Sequence, residues 1–109
     1  MDRDRLHLLH IRDAIEKIEK YSSRVSFENF AKIGLDYDAI LMQIVVIGEA
    51  VNELSDEFRE KHYNLPWHKP VAMRNKIAHG YFGIEPKIIW QTIKDDLPIL
   101  KKEIEKLIK

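Results

Sequence analysis

Cysteine is missing altogether from the 109-residue sequence, which removes disulfide scaffolds, thiolate zinc sites and cysteine nucleophiles together. Glycine and proline are scarce, with four of each, so few points in the chain invite a break. No purely apolar run exceeds four residues, as in 44–47, far short of the roughly 20 needed to cross a bilayer as a helix. Neither sign of charge is in surplus: 18 Lys and Arg against 18 Asp and Glu give a formal net charge of zero. Overall charge therefore cannot drive the protein onto nucleic acid or anionic lipid, and any such contact needs a local patch. The opening Met-Asp-Arg-Asp-Arg lacks the apolar stretch of a signal peptide, and a cytoplasmic location is expected.

What is present suits one domain over residues 1–109. The mass is 12.9 kDa, 45% of residues are hydrophobic and 33% are charged, enough apolar matter for a core and too evenly mixed for a disordered tail. Between the few glycines and prolines the apolar residues keep helical spacing. Leu8, Ile11, Ile15, Ile18 and Tyr21 predict an amphipathic helix over about 4–22. Ser26 is placed to cap a short helix through Phe27 and Phe30 that ends at Gly34. A long helix then starts at Asp36 or Asp38, with Ile40, Ile44, Ile47, Val51, Leu54 and Phe58 on one stripe and Leu41, Val45 and Gly48 on a second. A helix apolar on two faces sits at the centre of its bundle or packs its second face on another subunit. On so crowded a face Gly48 suggests close helix–helix approach.

Pro66 interrupts the pattern, and the next helix begins near Trp67 or His68, with Pro70 in its first turn, where a missing N–H removes no intrahelical bond. It runs to about His79 and stops at Gly80, a residue suited to a left-handed cap. The last helix carries Ile89, Ile93, Leu97, Leu100, Ile104 and Leu107, and a kink is expected at Pro98. No strand-like alternation competes. The fold class is an all-α bundle of four or five helices.

Charge is unevenly spread along this bundle. Residues 1–65 carry a net −4, whereas residues 68–87 hold Lys69, Arg74, Lys76 and Lys87 against Glu85 alone. The same basic segment contains His68, His79 and Tyr81, so basic, titratable and hydroxyl groups coincide there as a candidate phosphate-binding site. On a straight helix Arg74 and His79 lie roughly 140° apart, while Asn75 and His79 share a face. Convergence of Arg74 and His79 therefore requires a long reach or a distorted last turn. Taken alone, these residues also admit plainer roles: Arg74 as the ion-pair partner of Glu85 or another carboxylate, His79 as a helix-end polar group, and Tyr81 as a rim aromatic. Trp67 and Trp90 are read as packing residues. Glu49, Glu53, Asp56 and Glu57 are read as a solvated acidic face, or else as one that meets a basic patch on a partner. His7 and His10, three apart, are two ligands without further partners, so no metal site is expected.

Arg74-Asn75, then His79-Gly80-Tyr81-Phe82, compose an R-x4-H-x-Y motif. Together with Ile47-Gly48-Glu49-Ala50, Leu54-Ser55, Leu65-Pro66-Trp67, Trp90 and Asp96-Leu97-Pro98, they make nearly the whole chain resemble the HepT-like toxins, small helical members of the HEPN nuclease superfamily. Pro70 departs from the pattern, where an apolar residue other than proline is expected. The resemblance implies a metal-independent endoribonuclease without cofactor, the toxin of a toxin–antitoxin pair. It is expected to act on RNA as a homodimer whose two Arg–His sets face one cleft. Arg74 and His79 are then the catalytic residues, with Asn75 in support and Lys69 and Lys76 as RNA contacts. Tyr81 is the residue to which an MNT-type nucleotidyltransferase antitoxin adds AMP, within a complex that can be larger than the dimer. The alternative reading is a non-catalytic helical subunit that binds a nucleotidyltransferase or its substrate.

Overall fold

Helix α1 (Arg3–Ser22) opens the computed structural model, which describes residues 2–109. Asp2 caps it by accepting the Asp4 N–H, and its stripe of Leu8, Ile11, Ile15 and Ile18 is buried as the spacing predicts. Ser26 caps α2 (Phe27–Phe30) through the Asn29 N–H, again as expected. Gly34 does not close this short helix. The left-handed turn falls on Ile33, at φ 56°, while Gly34 becomes the N-cap residue of α3 (Leu35–Glu53), one residue earlier than the aspartates suggest.

Helix α3 ends well before Phe58. Leu54 turns extended, and Ser55 caps a separate α4 (Asp56–Lys61) by accepting the Phe58 N–H. Asp4 at the start of α1 holds this break from across the bundle, accepting both the N–H and the hydroxyl of Ser55 at 2.8 Å. The apolar period continues through Leu54 and Phe58 because both still face the core. The backbone bends because a serine and a distant carboxylate satisfy the groups that a continuing helix would pair.

Helix α5 (His68–Gly80) follows, with Pro70 in its first turn. Gly80 forms no left-handed cap; at φ −153° it leads directly into a 3₁₀ turn (Tyr81–Gly83). Pro86 then starts α6 (Pro86–Gln91). A π turn (Thr92–Asp96) joins α6 to α7 (Leu97–Ile108). The kink expected at Pro98 takes this form: the N–H of Leu97 reaches five residues back to Thr92, and the proline, which has no N–H for the Lys94 carbonyl, sits just beyond the widened turn. Counting α6 and α7 as one rod, four long helical members build the bundle and the short α2 and α4 close its corners. No strand occurs among the described residues.

Helix α3 lies between α1 and α5, and α7 packs on α1. Both apolar faces of α3 are therefore covered within the chain. Of the two arrangements open to such a helix, the chain adopts the central one, so α3 by itself supplies no reason for a second subunit. Trp67 donates its indole N–H to the His62 carbonyl at 3.0 Å. Trp90 stacks obliquely on Phe30, their ring centres 5.1 Å apart. Both tryptophans are packing residues, as read from the sequence.

Candidate functional site

Gly48 sets the geometry of the candidate site. A Cβ built on it would lie 2.3 Å from Cβ of Arg74 and 2.9 Å from the Pro70 carbonyl oxygen, distances no side chain tolerates. Glycine here lets α5 settle onto α3, the close approach its crowded face suggested, and Arg74 is the residue that lands on it. One position on, Glu49 receives the guanidinium: its Oε1 accepts from Nε of Arg74 at 2.7 Å and lies 2.6 Å from Nη2. Nη1 of Arg74 donates to Oδ1 of Asn75 at 2.9 Å. The carboxylate partner of Arg74 is thus Glu49, and not Glu85. Asn75, expected to orient His79 or the RNA backbone, orients Arg74.

His79 is exposed and has no hydrogen-bond partner among the described residues. Helix α5 leaves helical geometry only at Gly80, at φ −153°, beyond His79, so Arg74 and His79 keep their roughly 140° separation. Arg74 is drawn towards α3 and His79 projects outward. A single chain does not unite them.

Tyr81 points to neither. Its ring is half-buried on the 3₁₀ turn, edge-on to Tyr37, and its hydroxyl donates to Asp38 in the first turn of α3. That hydrogen bond holds the phenol proton and raises the Tyr81 pKa above the ordinary tyrosine value, with desolvation and the Asp38 charge adding to it. Tyr37 is also raised, by burial first and by Asp38 second. Its hydroxyl is the one buried side-chain polar atom without a partner among the described residues.

Lys69 and Lys76 share a face of α5, within about 20° of each other but some 140–160° from Arg74. They border an apolar groove of about 270 Å³ between α5 and the α6–α7 rod, floored by Ile44, Ile47, Leu97 and Leu100. The basic segment read from charge alone is therefore divided between two sides of one helix. His7 and His10 stack edge-on, ring centres 5.9 Å apart, and no cluster of three or more His, Asp or Glu among the described residues is placed to hold a metal. The sequence reading assigned Glu49 to a solvated face and did not single out Asp38 as a partner of Tyr81. The only signal for Glu49 was its position directly after the close-packing Gly48.

A family model described as "Ribonuclease HepT-like" matches residues 11–107, a span that holds Gly48, Glu49, Arg74, His79 and Tyr81. The chain belongs to the HepT-like ribonuclease family. Among curated relatives, the "Probable ribonuclease HepT" of Thermococcus cleftensis is 36% identical over 103 residues, covering 94% of each chain. A protein of Caldanaerobacter subterraneus subsp. tengcongensis named "Putative RNase" is 38% identical over 108 residues, covering 99% of this chain and 96% of its own. No solved structure gives a significant match. Family membership and the all-helical architecture agree, and they make this HepT-like protein an enzyme of the endoribonuclease class. No helix among the described residues is long and apolar enough to cross a membrane.

Proposed function

We propose that this HepT-like protein is a metal-independent endoribonuclease toxin that cuts RNA in a cleft shared by two subunits. Arg74 carries the reading. Of the five N–H donors on its guanidinium, Glu49 accepts one from Nε and Asn75 one from Nη1, while Nη2 lies in ion-pair contact with Glu49. This leaves donors on both terminal nitrogens without a hydrogen bond among the described residues. Two parallel donors of this kind match the non-bridging oxygens of a phosphodiester.

RNA supplies its own nucleophile. The 2′-hydroxyl oxygen bonds to the adjacent phosphorus, the bond from phosphorus to the 5′-oxygen breaks, and one proton leaves the nucleophile while another reaches the departing oxygen. The protein needs only to place the groups, transfer protons and stabilise the charge on phosphorus. His79, exposed and unpartnered, transfers the proton or orients the phosphate; Arg74 neutralises the transition state. Because these two side chains leave α5 in different directions, a two-fold pair of chains is the simplest way to gather both around one phosphate. Lys69 and Lys76, on another face of α5, contact RNA away from the scissile bond.

Tyr81 is the control point of this reading. Transfer of AMP by an MNT-type antitoxin joins the phenol oxygen to the α-phosphorus of a nucleoside triphosphate and expels pyrophosphate. Asp38 already accepts the phenol hydrogen, the position from which a carboxylate takes up the released proton. The product carries a phosphodiester charge beside Asp38 and has lost the donor that bound it, so the modified ring is repelled from α3 and its phosphate is available to Arg74.

Purified protein should cleave RNA in the presence of chelator. Arg74→Ala and His79→Ala should each lower cleavage about 10²–10⁴-fold with helical content unchanged by circular dichroism. Coexpression with the nucleotidyltransferase should add mass in AMP units at Tyr81 and silence cleavage. Cleavage that survives both substitutions refutes the site. A wild-type protein that takes up AMP yet never cuts RNA belongs to the binding-subunit class instead.

A further inference from the structure

We infer that Glu49 is a positioning residue of the ribonuclease site, holding the Arg74 guanidinium in the one orientation that offers its terminal edge to a phosphate; this rests on the reading of Arg74 as the phosphate ligand. Three observations converge. The Gly48 gap fixes where the Arg74 side chain leaves α5, because Cβ and Cγ of Arg74 lie over the glycine. The next residue of α3, Glu49, accepts from Nε through Oε1, and the same oxygen lies in ion-pair contact with Nη2. Asn75 holds Nη1. A long, flexible side chain with many rotamers is thereby restrained at its root, along one side and at one tip. N–H donors on both terminal nitrogens, Nη1 and Nη2, are left to meet a phosphate.

Stability does not account for the arrangement. Glu49 is half exposed and Arg74 only partly covered, and an isolated ion pair in that setting contributes little to folding. What the pair does supply is preorganisation: a donor fork aimed before substrate arrives loses less freedom when the transition state forms. Glu49 touches neither RNA nor the reacting atoms in this arrangement and acts through Arg74. The orienting element is the hydrogen-bond acceptor, not the negative charge. Glutamine, whose amide oxygen accepts the same Nε–H bond, should serve nearly as well.

The test is steady-state cleavage of a short RNA by the full chain, comparing Glu49→Ala, Glu49→Gln and Arg74→Ala. Glu49→Ala should lower kcat about 10–100-fold, the loss typical of releasing the partner that aims a catalytic group, with a much smaller change in KM. Glu49→Gln should recover most of the wild-type kcat. Alanine is a good helix former and the site is half exposed, so Glu49→Ala should melt as the wild type does. If it does not fold, Glu49→Gln decides alone, since a kcat as low as that of Arg74→Ala shows that charge and not orientation is needed. A Glu49→Ala enzyme at the wild-type rate overturns the proposal, as do Ala and Gln variants that are both faster, because Glu49 is then a plug. Cleavage that survives Arg74→Ala removes the Arg74 site and this role together. Arg74→Ala inactive with Glu49→Ala fully active removes only the role of Glu49.

Discussion

Tyr81 donates its hydroxyl hydrogen to Asp38 on α3. The carboxylate holds the phenol proton, so the Tyr81 pKa stands above the ordinary tyrosine value, and the sign of its effect on stability follows. A phenol protonated more tightly in the folded chain than in the unfolded one stabilises the fold fully below the unfolded tyrosine pKa of about 10. That contribution is lost as pH rises through the higher folded value. Asp38→Asn should bring the Tyr81 titration, followed by phenolate absorbance, back towards the ordinary range and make alkaline unfolding less dependent on this residue. A Tyr81 titration unchanged by the substitution would mean that the hydrogen bond does not persist in solution. The same contact draws the Tyr81 side chain towards α3, where its acceptor Asp38 lies.

Between elements, the decisive contact is α5 on α3, and it depends on one missing side chain. Gly48→Ala gains about 1 kcal/mol of helix propensity but drives a Cβ into Cβ of Arg74 and the Pro70 carbonyl. Neither neighbour is the free end of a flexible chain, so α5 must shift. The substitution should cost about 1–3 kcal/mol in urea unfolding and should reduce RNA cleavage by more than the stability loss explains, since Arg74 moves with α5. A stabilised or fully active Gly48→Ala would refute the close packing. The other element boundaries show the same dependence on partners. Ser55 breaks the α3 period because Asp4 reaches it from α1, and α7 is tied to α1 through Lys101 and Glu19 at 2.9 Å and through Arg5 to the Ile108 carbonyl.

Over the whole molecule, Arg74 and His79 face different directions from one helix, and the proposed chemistry needs them around one phosphate. Sedimentation equilibrium at micromolar concentration should therefore give about twice the 12.9 kDa chain mass. Mixing Arg74→Ala with His79→Ala chains should restore part of the activity if one subunit's Arg serves with the other's His. A strictly monomeric, active enzyme would show that one chain gathers the site unaided. The dimer is not needed to bury α3, whose two faces are covered by α1 and α5, so an interface that forms does so through surfaces the single fold leaves exposed.

The helical class, the stripe of α1, the Ser26 cap, the first-turn place of Pro70 and the basic Arg74–Tyr81 segment are all legible in the amino-acid order, because each depends on spacing or on neighbours within a turn. The R-x4-H-x-Y pattern likewise survives in one dimension. The partners of those residues do not. Glu49 lies 25 positions from Arg74 and Asp38 lies 43 from Tyr81, and nothing in local periodicity distinguishes an acidic side chain on a solvated face from one that holds a guanidinium. The glycine caps were misplaced for a related reason: Gly34 and Gly80 permit left-handed turns, but whether the chain takes one depends on where the next helix must dock. Ile33 takes the strained turn instead. Spacing determined which residues face inward; only the packing of α5 on α3 decided what each functional side chain holds, since hydrogen-bond partners are chosen by distance in space.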